Sequence, residues 1–323
     1  MQQEMEVKLG KMQFLGIFGI LQEAYTIIYT WRKIFSQITL FLIFPLSLFF
    51  LAYTHISYHM IQNLHFQINQ TKFQKGFPRF VKISDLVVSY ELAYFWLFIV
   101  MIYSIFLTII SIPSTSVVTY VVACIYTDDD KVSFKHSLKI VTKVWKRVMI
   151  TSFYSLGFTF TYDSVAVCVL PLIIRVIVFR YGFYWYIKVA ILIVFMAMYI
   201  VGSLYLTTIW MLSKVVSVLE ESYGFKALMK SQRLLRGKMV VATFLLFFII
   251  LILGVVQLLY KTVVVRAVVL GMIRLLINFL LFKVVVLTVL YFVCKSYHRE
   301  NIDMSDHLSG LAEVYVSIKA NDV

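Results

Sequence analysis

The chain has 323 residues, 61% of them hydrophobic and 17% aromatic, with only 14% charged and a mean hydropathy of +0.88. Soluble domains run near 45–50% apolar and about 25% charged, so this composition excludes an ordinary soluble globular protein and predicts an integral membrane one. A formal charge of +14 would suggest nucleic acid in a soluble protein, but here the bases sit mostly at the ends of apolar runs, which points to the anionic cytosolic leaflet instead.

The N-terminal MQQEMEVKLGK mixes charge and has no cleavable signal pattern, so the first span is expected to serve as the targeting signal. Phe14, Phe18, Leu21, Tyr25 and Ile28 recur at helical spacing on one face, and Trp31, Arg32 and Lys33 close that segment at the membrane interface. The first span is expected at 34–58, kinked by Pro45. His55 and His59 have the i, i+4 spacing of two metal ligands, but no third and fourth ligand stand at a convincing distance, so no metal is predicted. Residues 59–90 are polar and contain Asn69-Gln70-Thr71, a sequon that makes Asn69 a glycosylation candidate.

Residues 92–127 hold 36 positions without one charge. As helix that is about 54 Å, well beyond the ~30 Å of hydrocarbon. Pro113 is therefore expected to end or bend the second span, 92–113, and residues 117–126 to leave it as an interfacial helix.

The stretch 128–147 reads as an amphipathic helix. Lys131, Lys135, Lys139, Lys143 and Arg147 recur every four residues as a basic stripe, and Phe134, Leu138, Val141, Trp145 and Val148 form an apolar face. Asp128, Asp129 and Asp130 put negative charge at its start, where the helix dipole favours it. The third span, 148–174, carries Asp163, and Phe183, Tyr184, Trp185 and Tyr186 form an aromatic belt before the fourth, 189–213. The order of acidic turn, basic helix and apolar run then returns with Glu220, Glu221, Lys226, Lys230, Arg233, Arg236 and Lys238 ahead of the fifth span, 239–260. Arg274 and Lys283, nine residues apart, fall on opposite helix faces, so the sixth span is placed at 275–294. Residues 1–295 thus form one six-span domain and 296–323 a short cytosolic tail.

Orientation follows from the bases. The N-terminal segment, 131–147, 214–238 and the tail hold 19 of the 30 Lys and Arg residues, against nine in the opposite loops, which puts both termini in the cytosol. Asn69 then lies on the non-cytosolic side.

Two constellations stand out. Asp163 and Lys283 are placed slightly to the luminal side of mid-membrane, where an isolated charge costs about 2.5–3.5 kcal/mol, so they are expected to pair. The pair reads either as a packing clamp or as a coupling site for a proton or solute. Lys131, Lys135, Lys139, Lys143, Arg147, Lys230, Arg233 and Arg236 are the candidates for lipid-headgroup contact. Cys124, Cys168 and Cys294 have neither disulfide nor metal spacing. No nucleophile elbow, phosphate loop, zinc helix or dinucleotide turn is present, so neither an enzyme nor a cofactor is predicted.

The run MEVKLGKMQFLGIFGILQEAYTIIYTWRKIFSQITLFLIFPLS, with YFVCKSYHRENID at 291–303, resembles a plant family of six-span membrane proteins of unknown function. The threefold plan is also similar to the membrane domain of bacterial glycerophosphodiester phosphodiesterases, without their catalytic domain. The resemblance implies residence in the endoplasmic reticulum, other endomembranes or plasma membrane of a plant cell, and it transfers no active residue. The expected fold is an all-α membrane protein, six transmembrane helices as three hairpins, each preceded by a cytosolic interfacial amphipathic helix. The expected function is non-enzymatic organisation of anionic lipids or partner proteins at the cytosolic face, with no nucleic acid bound. The alternative is a transporter or channel using Asp163 and Lys283.

Overall fold

The structure, a computed structural model, describes residues 14–53, 56, 83–126, 134–179, 185–262 and 266–298. Helix is the only regular secondary structure among them. The elements are α1 (Ile17–Thr30), α2 (Arg32–Tyr53), α3 (Ile83–Tyr126), α4 (Phe134–Phe179), α5 (Trp185–Leu219), α6 (Phe225–Leu235), α7 (Met239–Thr262) and α8 (Arg266–Tyr297). Six stretches are long and apolar enough to cross a membrane: Arg32–Tyr53, Phe98–Tyr126, Val141–Ile173, Tyr186–Leu219, Met239–Leu259 and Ile273–Tyr297. The chain is accordingly membrane-embedded.

The two prolines leave different marks. Pro45 has no N–H for the carbonyl of Phe41, and its ring crowds that oxygen. Just before it α2 widens into a π turn over Thr39–Ile43, in which the Phe44 N–H reaches back to the Thr39 carbonyl. Pro113 neither ends α3 nor releases residues 117–126 as a separate helix; α3 continues as one helix of 44 residues. Its serines thicken the hydrogen bonding around the proline, Ser111 donating to the Thr108 carbonyl (2.9 Å) and Ser114 to that of Ser111 (2.9 Å). Residues 117–124 are also buried throughout, so packing keeps the helix continuous through the apolar run.

The basic stretch likewise does not form a helix of its own. It is the first part of α4, a single helix of 46 residues, about 69 Å long at 1.5 Å per residue. Its buried stripe is Ser137, Val141, Val144, Val148, Thr151 and Ser155, spaced four, three, four, three and four. Trp145, expected on the apolar face, is exposed beside Lys143, Lys146 and Arg147.

The bundle is centred on α8. Of its most apolar window 61% is buried, against none in α4 and α5. It packs on α1, α2, α3, α5, α6 and α7, and its Val285–Lys295 stretch is buried without a break. Helix α1 contributes Ile20, Ala24 and Ile27 to that core while turning Phe18, Tyr25 and Tyr29 outward. A smaller cluster of Ile112, Tyr120, Cys124, Val144, Val148 and Val218 joins α3, α4 and α5. The Tyr186–Val201 part of α5 is by contrast largely exposed, as a lipid-facing surface would be.

Candidate functional site

The densest polar chemistry gathers where α5 turns into α6. Helix α5 ends at Leu219, and Gly224, at φ 61°, restarts the chain in a conformation that suits glycine. The Gly224 N–H donates to the Thr151 hydroxyl (2.9 Å), tying the turn to α4. Helix α6 then lies back along α5: Ser231 donates to the Ile209 carbonyl (3.1 Å) and the Gln232 amide to the Tyr205 hydroxyl (3.1 Å). Ala227, Leu228, Leu234 and Leu235 are its buried side, while Lys226, Met229 and Arg233 face outward.

Glu220 sits inside this elbow with only 4% of its surface exposed. Lys230 of α6 approaches one carboxylate oxygen at 2.7 Å; Lys295 of α8 lies 3.7 Å from the other, which also accepts from the Tyr291 hydroxyl at 2.7 Å. A carboxylate this buried carries a large desolvation cost, offset only by such a set of donors. The end of α8 closes the arrangement. His298 lies 3.1 Å from the Leu234 carbonyl and 3.0 Å from that of Arg236, two oxygens left open at the end of α6. Gly237, at φ 89°, turns the chain toward α7 against the ring of Tyr297, over which Lys238 stands at 5.5 Å. One carboxylate and one imidazole thus join α5, α6 and α8.

The residues singled out in the sequence are distributed differently. Asp163 is half-buried on α4 and accepts a hydrogen bond from Tyr199 of α5 (2.9 Å). Tyr199 stacks on Tyr162 at 5.5 Å, and Tyr162 donates to the Tyr199 carbonyl (3.0 Å). Lys283 is half-buried on α8. Among the described residues no ion pair joins it to Asp163, and the main packing partners of α4 are α3 and α5. Lys214, on α5, is half-buried as well.

Of the lipid-contact candidates, Lys143, Arg147, Arg233 and Arg236 are exposed. Arg147 makes a 4.0 Å contact to the exposed Glu221, a pairing worth little in water. Lys230 is the exception, since its ammonium is drawn inward to Glu220. Lys135 and Lys139 lie on the backbone of α4 with side chains outside the described set, and Lys131, Asn69, His55, His59 and the tail from 299 onward lie outside the described residues.

In the sequence Glu220 reads only as part of an acidic turn and Lys295 only as the last residue before the tail. A carboxylate immediately after a long apolar run was the available signal. Its partners, 10, 71 and 75 positions further along the chain, were not visible in any local period. No curated protein and no solved structure matches the chain. Residues 5–323, nearly the whole sequence, match the model of a family described as a domain of unknown function (DUF8558), and the chain belongs to that family.

Proposed function

We propose that this protein is a non-enzymatic multi-pass membrane protein that organises anionic lipids at the cytosolic face, with both termini in the cytosol. The observation that carries the reading is the exposed basic rim formed by Lys143, Lys146 and Arg147 of α4 and by Lys226, Arg233 and Arg236 at α6. The Gly224–Thr151 bond and the Arg147–Glu221 contact bring these two groups to one end of the bundle. Trp145 is exposed among them, as an interfacial anchor would be. Each base near an anionic surface contributes about 1 kcal/mol, so the rim supplies several without any enclosed pocket. Helices α1 and α6 act as interfacial helices and the start of α4 as a third, each leading into a pair of crossings. The resemblance of the runs at 5–47 and 291–303 to the plant family favours an endomembrane or the plasma membrane of a plant cell.

A transport path through an Asp163–Lys283 pair has less support, because helices that do not pack together carry the two charges. Lipid analysis of protein extracted in native nanodiscs tests the proposal. Wild type should retain phosphatidylserine in excess over bulk membrane, and a variant carrying Lys143→Gln, Arg147→Gln, Arg233→Gln and Arg236→Gln should lose most of that excess. No enrichment in wild type, or equal enrichment in the variant, refutes it.

A further inference from the structure

We propose that residues 299–323, the acidic segment that follows α8, dock on the exposed basic face of α6 and compete there with anionic lipid. The docking stands on charge and connectivity; only its consequence for lipid rests on the rim reading given above.

The face is set by spacing. Lys226, Met229, Arg233 and Arg236 are exposed and follow one another at three, four and three residues. They therefore form one stripe along α6 and its exit, opposite the buried Ala227, Leu228, Leu234 and Leu235. Among the described residues none of the three bases is ion-paired, and the acids next to them are engaged elsewhere. Glu220 is buried between Lys230 and Lys295, and Glu221 meets Arg147 at 4.0 Å. Three bases along about 15 Å of helix leave a local field that favours an acidic partner.

The occupant follows from where the chain leaves the bundle. His298 is held 3.1 Å from the Leu234 carbonyl and 3.0 Å from that of Arg236, so residue 299 starts at the end of this stripe. The 25 residues from there hold five of the chain's 16 acids, Glu300, Asp303, Asp306, Glu313 and Asp322, against Arg299 and Lys319. Their formal charge is −3, whereas residues 1–298 carry +17. Glu300, Asp303 and Asp306 fall within eight residues of His298. Eight extended residues reach about 26–29 Å, which exceeds the length of the stripe, so the first three acids can meet its three bases. Ile302 and Met304, between those acids, give Met229 apolar partners. Exposed ion pairs are weak one at a time, but a tethered segment meets its face at millimolar effective concentration, where several of them count together.

Spin labelling of the full chain tests the docking without lipid. A nitroxide at Met229→Cys, in a Cys168→Ser background that removes the exposed native thiol, reports from the middle of the stripe. In neutral detergent at low salt the label should be restricted. Glu300→Gln with Asp303→Asn and Asp306→Asn should free it, as should about 1 M salt, which shortens screening to about 3 Å. Arg233→Gln with Arg236→Gln should do the same, and if that variant does not fold the tail variant decides alone. A label equally mobile in all these proteins overturns the docking, as does a restriction that the tail substitutions leave in place. A restriction that disappears on about tenfold dilution assigns the face to a second copy of the chain and also overturns it. The consequence for lipid is read separately in native nanodiscs, where the tail variant should retain about twofold or more phosphatidylserine than wild type. Equal excess in both chains refutes the competition. A restricted label with no phosphatidylserine excess in either chain supports the docking and refutes the rim reading; a mobile label with that excess does the reverse.

Discussion

Replacing Glu220 by Gln keeps the size of the side chain and removes its charge, which isolates what the carboxylate does at the elbow. Three interactions change. The Tyr291 hydroxyl, 2.7 Å away, would donate to an amide oxygen in place of a carboxylate, which halves a charge-assisted bond worth about 1.5–3 kcal/mol. Lys230 has 31% of its side chain exposed, so its pairing is screened and counts for well under 1 kcal/mol. Lys295, with 8% exposed, would be left as a buried cation without its counter-charge. Breaking a buried pair in that way costs about 3–5 kcal/mol. Because α8 ends two residues further on, at Tyr297, water is close and the low end applies. The expected total is about 4 kcal/mol. Unfolding by SDS titration in mixed micelles measures it, and Lys295→Met in the Gln background should recover about 1–2 kcal/mol by removing the stranded charge. A Glu220→Gln protein within about 0.5 kcal/mol of wild type, or strict additivity of the two changes, would show that the elbow is held by apolar packing alone.

Gly202 lies under the Tyr162 hydroxyl, and an added Cβ would collide with it. Gly202→Val should cost about 1–3 kcal/mol by the same titration, with much of it restored by Tyr162→Phe, which removes the colliding oxygen. Asp163→Leu and Lys283→Leu should be additive within about 0.5 kcal/mol, since the two charges are not in contact; a coupling above about 1 kcal/mol would restore the pair that the sequence suggested. Gly237 has φ 89° and a Cβ there would stand 2.6 Å from the Tyr297 ring. Gly237→Ala should therefore cost about 1–2 kcal/mol, and Tyr297→Ala in the same chain should relieve only the steric part.

The six crossings were legible because an apolar run of membrane length has one stable solution, and the expected spans at 239–260 and 275–294 lie within a few residues of Met239–Leu259 and Ile273–Tyr297. What local pattern could not show is where a helix stops when packing overrides a breaker. Pro113 reads as an interruption, yet residues 117–124 are buried against neighbours that only the folded chain brings near, and the helix runs on. The same applies to α4, whose basic start and apolar continuation have different compositions but one unbroken backbone. The shift of its buried stripe from Trp145 to Val144 has a simple cause. Residues 137, 141, 144 and 148 keep the four-three rhythm with small side chains that admit close approach to α3, which a tryptophan would not. Asp163 and Lys283 were expected at similar depth and so looked like partners, but depth says nothing of azimuth, which packing decides.

Charge placement separates the bundle into regions that answer to different constraints. On α4 and α5, where the apolar windows have no buried share, the one carboxylate is met by a neutral tyrosine and stays half-buried. At the elbow, where burial is near complete, the carboxylate draws two lysines and a tyrosine to itself. Lys214 and Lys283 stand between those cases: they are buried more than surface bases but served by no acid among the described residues.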